Sequence, residues 1–426
     1  MPQPLARTVG LWGAVWMGLG SILGTGVFVS LGIAAGVVGT GVVWAVALAA
    51  LVAIANGLSS AQLAAAHPVS GGTYAYGRKF VHPAAGFVAG WMYLSAKSAS
   101  AATAALGCAG YLLHTLGWGG GMAPRVGLAL ALVLGTTALV AGGVRRSNAV
   151  NIAIVSVTLL ALGAFVAGGL WTTGPAALLA TVGPDVLTDA LASPAALAHA
   201  TALMFVAYTG YGRIATLGEE VSDPARTIPR AIIATLAVSM VLYISVAATA
   251  VAVVGAETFA RSTGDLAAPL EVVARQLAVP GVAWLVAIGA MTAMAGVLLN
   301  LVLGLSRVLF AMARAHDMPH ALAAVNAAHS PSRAVWAMGA VIAALVCLGD
   351  VRTTWSFSAV TVLTYYGLTN LAALRLPPEA RRFPRWIAWA GLLACFGLSA
   401  FVSGPAWLAG AAMLAVGFGV RALVRR

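Results

Sequence analysis

The chain has 426 residues, of which 61% are hydrophobic and only 8% charged, and its formal net charge is +12. A soluble domain carries about 25% charged residues, so a soluble enzyme or binding module is excluded and an all-α polytopic membrane protein is expected. The positive excess reads as membrane orientation rather than nucleic-acid affinity.

Apolar runs of spanning length begin near Val9, Gly41, Ala84, Val126, Val150, Ala195, Ala231, Val282, Val335, Thr354, Trp386 and Ala406, which predicts 12 transmembrane helices. The first run, about Val9 to Val38, is too long for a signal-peptide core and is followed by another span, so no cleavable signal is expected. Inside it lies Gly18-Leu19-Gly20-Ser21-Ile22-Leu23-Gly24-Thr25-Gly26-Val27-Phe28, with four glycines in nine residues. Gly lets a backbone leave helical geometry and approach something closely. Non-helical backbone at membrane depth persists only where protein buries it or where it lines a cavity. A break there turns N–H groups and carbonyls toward a small zwitterion. Close helix packing through small residues is the competing explanation of this stretch alone.

Gly41–Ala66 reads as a plain apolar span, and His67 to Lys79 as a polar, turn-rich loop. Pro83 opens a third span that carries Trp91, Tyr93 and Lys97. Lys97 lies roughly 20 Å of helix from the start of that span, too deep for simple snorkelling to the near interface. It is the one lysine or acid well inside spans one to five, and a proton carrier, a fixed counter-charge and a snorkelling lysine are the three readings. Spans four and five flank the basic turn Gly142 to Arg146, and residues 173–194 form an external connection near the middle of the chain.

The sixth span contains Phe205-Val206-Ala207-Tyr208-Thr209-Gly210-Tyr211-Gly212-Arg213, again interrupted by glycine, and ends at Glu219-Glu220. Spans one and six each open a set of five, in halves of opposite orientation. Matching interrupted helices in two halves are the sequence pointer to a transporter site at the bilayer midplane. Spans eleven and twelve stand outside that scheme, with a scaffold or dimer role. With the N-terminus inside, eighteen basic residues fall on inner segments and four (Arg125, Arg261, Arg275, Arg352) on outer ones, so both termini are expected in the cytoplasm. Cys108, Cys347 and Cys395 all fall within predicted spans without metal-ligand spacing and read as apolar fillers. No metal site, phosphate loop or catalytic triad is seen, so no cofactor and no enzymatic activity are expected.

Several ordered blocks resemble the amino acid–polyamine–organocation (APC) superfamily over most of the chain. Leu23 to Phe28 is similar to its first-span signature. Pro68 to Tyr76, with His82-Pro83 and Gly86-Phe87 to Gly90-Trp91, resembles its second loop and third-span entry. Phe205 to Tyr211, then Glu219 to Pro224 and Ile228 to Ala231, resembles the sixth-span block, and Asn300, Ser306-Arg307 and Phe310 to Arg314 the end of the eighth. The resemblance implies a five-plus-five inverted repeat (LeuT-type) with broken helices 1 and 6. Its segments would be residues 1–172, residues 195–375 and the added helices of 385–426.

The resemblance further implies an amino acid permease working by alternating access. Substrate carboxylate would meet backbone N–H groups near Gly24, Thr25, Gly26 and Val27. The ammonium would meet carbonyls near Ser21, Ile22, Phe205, Val206 and Tyr208, with Ala207 and Gly210 beside them. Two departures stand out: Gly212-Arg213 replaces an expected acidic position, and Thr158 stands where some proton-coupled members carry a lysine. Lys97 and Thr158 are therefore the coupling candidates, and Arg213, Glu219 and Glu220 the gate candidates, the glutamates facing Arg78, Lys79 or Arg146. Tyr208, Tyr211, Tyr365 and Tyr366 are candidate cavity-facing rings.

Small lining residues and the lack of an acid for a cationic side chain point to a neutral amino acid as substrate. The coupling ion is a proton, or alternatively sodium. Import, export and exchange, a channel or sensor of the same fold, and the oligomeric state are left open by the sequence. The arginine-rich, alanine-rich usage points to a bacterial inner (cytoplasmic) membrane protein.

Overall fold

The structure is a computed structural model that describes residues 9–69, 71–118, 121–143, 148–215, 221–265, 267–326 and 330–424. Among them the chain is helical, with a single isolated bridge between Val9 and Val221 as its only extended pairing. In chain order the helices are α1 Leu11–Ile22, α2 Leu31–Val38, α3 Val42–Ala66, α4 Thr73–Phe80, α5 Pro83–Thr115 and α6 Met122–Ala141. Next come α7 Asn148–Ala180, α8 Pro184–Ala192, α9 Pro194–Tyr208, α10 Gly212–Ala215, α11 Pro224–Asp265 and α12 Pro269–Ala274. The last are α13 Val282–Arg314, α14 Ser332–Val346, α15 Val351–Leu374, α16 Arg385–Ser399 and α17 Gly404–Val424.

Seven helical stretches among the described residues are long and apolar enough to cross a membrane, and the pair Pro184–Ala192 with Pro194–Ala215, bent by 103°, makes an eighth. The 33-residue α5 is nearly all buried, so its Ser, Thr and Lys content costs it apolarity without facing lipid. It packs against α13 and α15, and these three helices form one wall of the interior. Helices α3, α7, α9 and α11 form the other wall around α1 and α2. Helices α16 and α17 lie at the periphery, with outward rows such as Leu393, Phe396, Leu408 and Leu423.

Proline opens α5, α8, α9 and α12, where its missing N–H would have had no helical partner in any case. His82 caps α5 by accepting from the Ala84 N–H at 3.2 Å, and Asp350 caps α15 by accepting from the N–H groups of Arg352 and Thr353.

Two local expectations need correction, and one segment left unassigned gains its structure. The stretch read as a loop after His67 contains α4, an eight-residue helix entered through Gly72 at φ 54° and pinned by buried Tyr74 and Tyr76. The connection at 173–194 is largely helical: α7 runs on to Ala180 through a kink at Gly174 (φ 79°), and α8 follows. Cys108 and Cys395 are buried as expected, but Cys347 is exposed just beyond the end of α14 and is no core filler.

Candidate functional site

Helix α1 ends at Ile22 because Leu23 turns extended (ψ 106°), and the chain re-enters helical geometry through a π-helical turn at Gly26–Ser30. The N–H groups of Val27 and Phe28 both donate to the Gly24 carbonyl at 3.1 Å. Carbonyls freed by the break find side-chain donors on neighbouring helices. Tyr243 of α11 donates its hydroxyl to the Ile22 carbonyl at 2.8 Å, and Tyr111 of α5 donates to the Phe28 carbonyl at 2.8 Å. This satisfies the rule that backbone polar groups at membrane depth must be bonded within the protein.

The second break mirrors the first. Helix α9 ends at Tyr208, a 3₁₀ turn covers Thr209–Tyr211, and α10 resumes at Gly212. Thr209 donates its hydroxyl to the Val206 carbonyl at 2.7 Å, and Tyr366 of α15 donates to the Thr209 carbonyl at 3.1 Å. Lys97 Nζ reaches across from α5 and donates to Thr209 Oγ1 at 2.8 Å. The side chain of Lys97 is buried, and among the described residues no carboxylate pairs with it.

Glycine lets the two breaks touch. A methyl group on Gly26 would lie 2.6 Å from Ala207 Cβ and 3.1 Å from Tyr243 Oη. One on Gly210 would collide with the Ser21 carbonyl and lie 2.6 Å from Ile22 N. Close packing and the break, the two explanations weighed from the sequence, therefore share the same glycines.

Two adjoining cavities open at this junction. The smaller, about 40 Å³, is lined by Ser21, Ile22, Thr25, Gly26, Lys97, Ser100, Val206, Ala207, Thr209, Gly210, Val297, Leu301 and Trp355. The larger, about 160 Å³, shares Ser21, Lys97, Thr209, Gly210, Val297 and Leu301 and adds Tyr93, Arg213, Asn300, Arg307, Tyr365 and Tyr366 among its lining. Among the described residues neither lining contains an aspartate or glutamate. Thr25 Oγ1 is buried and finds no hydrogen-bond partner among the described residues.

The structure thus gathers Ser21, Ile22, Thr25, Gly26, Val206, Ala207, Gly210 and Lys97 around one space, with Arg213 on the wall of the larger cavity. Gly24, Val27, Phe205 and Tyr208 are buried nearby without lining either cavity. Of the four tyrosines singled out, Tyr365 and Tyr366 line the larger cavity, while the ring of Tyr208 packs at a tilt against Tyr243 and that of Tyr211 at a tilt against Tyr366. Thr158 lines neither cavity and donates to the Ile154 carbonyl of its own helix at 2.8 Å. Glu219 and Glu220 lie outside the described residues. Sequence reasoning missed Thr209, Ser100, Val297, Leu301 and Trp355. Ser100, one turn from Lys97 on α5, was reachable from helical spacing; the others carry no local signal.

Near the α4 end of the bundle, Arg78 pairs with Asp317, while the glutamates read from the sequence as its gate partners lie outside the described residues. Asp317 is fully buried and also accepts from Arg421 Nε at 3.0 Å and from the Tyr74 hydroxyl at 3.0 Å. The Arg421 guanidinium lies 4.8 Å from the centre of the Phe87 ring. His67, at the end of α3, is held below the ordinary imidazole range by burial and by the Lys79 ammonium, whose Nζ is 3.1 Å from His67 Nδ1.

Apolar helices packed around two mutually fitted breaks with a cavity between them are those of an integral membrane protein. Residues 9–420 match the family model described as amino acid permease, and the chain belongs to that family, in keeping with the APC superfamily. It is 41% identical to an uncharacterised transporter of Mycobacterium tuberculosis, over 100% of this chain and 94% of the relative. It is 30% identical to the branched-chain amino acid permease BcaP of Bacillus subtilis over 47% of this chain and 42% of that protein. The BcaP of Lactococcus lactis is 27% identical over 70% and 68% respectively. Family and relatives indicate a transporter of amino acids, not an enzyme.

Proposed function

We propose that the protein is a secondary active transporter that moves neutral amino acids across the bacterial cytoplasmic membrane by alternating access, coupled to protons. The observation that carries the reading is the meeting of two broken helices, at Gly24 to Gly26 and at Thr209 to Gly210, around one cavity floored by Lys97. The proposal takes twelve spans with both termini cytoplasmic. Its five-plus-five inverted repeat pairs residues 1–172 with 195–375, and residues 385–426 add the last two helices. The aliphatic lining from Ile22, Val206, Val297 and Leu301 suits an uncharged side chain. Two relatives are named branched-chain amino acid permeases, which points the same way.

Lys97 is the coupling residue in this reading. An ionisable group that is wet in one state and dry in the other can take up and release a proton during the cycle. The titratable or charged groups that share its cavity are Tyr93, Arg213, Arg307, Tyr365 and Tyr366. Thr158, Arg213, Glu219 and Glu220 keep secondary roles in coupling and gating.

The test is uptake and counterflow of labelled amino acids in proteoliposomes, with pH and sodium gradients imposed separately. Saturable counterflow with accumulation that follows pH is expected, and Lys97→Ala should lose accumulation while retaining exchange. Accumulation that follows sodium and ignores pH would replace proton coupling with sodium coupling. Non-saturable flux without counterflow would make the protein a channel.

A further inference from the structure

The end of the bundle where α3 stops and α11 and α16 start carries a concentration of guanidinium groups. Arg381 and Arg382 lead into α16, Arg385 is its first residue, and Arg226 and Arg230 stand in the first two turns of α11. Helix α3 packs against both α11 and α16, so its end lies between the two groups. Two bonds fix the segment there. The Arg382 backbone N–H donates to Gln62 Oε1 of α3 at 3.4 Å, and Arg382 Nη1 donates to the Ala225 carbonyl of α11 at 2.7 Å. That second bond sets the direction of an exposed guanidinium and leaves its other N–H groups for a further acceptor.

These arginines differ from Arg78 and Arg421, which close on the buried Asp317. Arg226 meets only Asp223, at 3.8 Å and with both side chains exposed. Among the described residues no carboxylate pairs with Arg230, Arg381, Arg382 or Arg385, and Arg381 Nε has no hydrogen-bond partner. Directly beyond the cations the surface turns apolar. Trp386, Trp389, Leu393 and Phe396 of α16 are exposed and recur at helical spacing, which puts them on one outward face. On α11 the exposed Ile233 follows Arg230 by one turn. Cations at the head of an outward apolar face fit a ligand whose anion and hydrocarbon are joined in one molecule; a soluble anion would use only the first half.

We propose that this cluster binds an anionic phospholipid. The phosphodiester is received by Arg382 with Arg381 and Arg385 on one side and by Arg226 and Arg230 on the other, and the acyl chains lie along the Trp386 to Phe396 face. A guanidinium offers paired N–H groups that match phosphate oxygens, and basic pockets between the ends of membrane helices suit such headgroups. The tryptophans at the head of α16 sit where aromatic rings favour the boundary between headgroups and hydrocarbon. A lipid held in this way bridges α11 and α16 across the end of α3, and so fastens a peripheral helix to the wall around the breaks.

The experiment titrates the full-length protein in detergent with phosphatidylglycerol or with phosphatidylcholine of the same acyl chains, and reads apparent affinity from the rise in Tm. The wild type should bind phosphatidylglycerol about tenfold or more tighter than phosphatidylcholine. Arg382→Gln should weaken phosphatidylglycerol about fivefold, the share of one basic side chain at an anionic surface. Replacing Arg381, Arg382 and Arg385 together by Gln should bring it down to the phosphatidylcholine level. Arg333→Gln removes the same charge from the exposed start of α14, at the same end of the bundle, and should change nothing. Equal binding of the two lipids overturns the proposal, and so does an equal loss in Arg333→Gln and Arg382→Gln, which would reduce the effect to overall charge. Displacement of phosphatidylglycerol by inorganic phosphate at comparable concentration would make this a free-anion site and overturn the lipid assignment. If Arg382→Gln does not fold, Arg385→Gln decides by the same fivefold loss, and unchanged affinity there overturns the site.

Discussion

Gly210→Ala is the sharpest single test of the junction between the two breaks. The added methyl would meet backbone, not a side chain that can rotate away: it would press on the Ser21 carbonyl and lie 2.6 Å from Ile22 N. Ordinary contact between non-bonded heavy atoms is about 3.5–4.0 Å, so α1 and α9 must part by about 1 Å. Overpacking of this kind costs about 1–3 kcal/mol, within a stability margin of about 5–15 kcal/mol, so the protein should still fold. Binding is less tolerant, because a site needs its groups held within about 0.5 Å. Substrate affinity should therefore fall by about tenfold or more, while the apparent Tm of the free protein drops only modestly.

Thermal unfolding with and without amino acid, alongside counterflow, separates the two effects. Gly163→Ala on α7 is the control, since a methyl there would have no neighbour within 4 Å. Gly26→Leu poses the same question from the other helix, against Ala207 and Tyr243. Wild-type affinity in Gly210→Ala would refute the idea that the fitted breaks build the site. Loss of folding in step with binding would mean that the glycines serve packing alone.

Orientation is open to direct labelling. With exposed Cys347 replaced, a cysteine placed between Thr173 and Pro194 should react with a membrane-impermeant reagent in intact cells, while tags on both termini should be reached only after permeabilisation; the reverse pattern overturns the topology. Asp317→Asn removes the carboxylate that Arg78 and Arg421 share, and breaking a buried pair costs about 3–5 kcal/mol, so Tm should fall and α17 should exchange amide hydrogens faster. Unchanged exchange in α17 would show that Arg421 does not hold it.

Both breaks were legible because their signal is local. Gly18 to Gly26 and Thr209 to Gly212 put helix-weakening residues inside apolar runs, and no tertiary knowledge is needed to see the conflict. Depth was legible for Lys97, since position along a helix follows from counting residues. Its partner was not. Thr209 reads as one more small residue until the fold brings the Lys97 side chain of α5 to it, and Val297, Leu301 and Trp355 come from helices whose faces sequence alone could not assign. Asp317 stands alone among loop residues in the sequence, and only folding brings α4 and α17 to it. The missed α4 shows the opposite error. Its paired glycines read as a turn, but they lead into a helix that Tyr74 and Tyr76 bury against the bundle.

Thr209 is where these observations meet. Its hydroxyl donates to Val206 and accepts from Lys97, and its carbonyl accepts from Tyr366, so one residue at the break of α9 ties together α5 and α15. A ligand can shift a conformational balance only by interacting differently with the two states. In the proposed carrier, a substrate that drew on the Lys97 ammonium would change what Thr209 receives from α5. Occupancy of the cavity in that carrier would in this way be converted into a change at the break of α9, where side chains from α5 and α15 add to the short backbone bonds of the turn. A continuous helix at Thr209 would offer no such point, because its hydrogen bonds would already be closed within the segment. In the proposed carrier, the energetic cost of interrupting a membrane helix would have a counterpart in function, a helix geometry that answers to what the cavity holds.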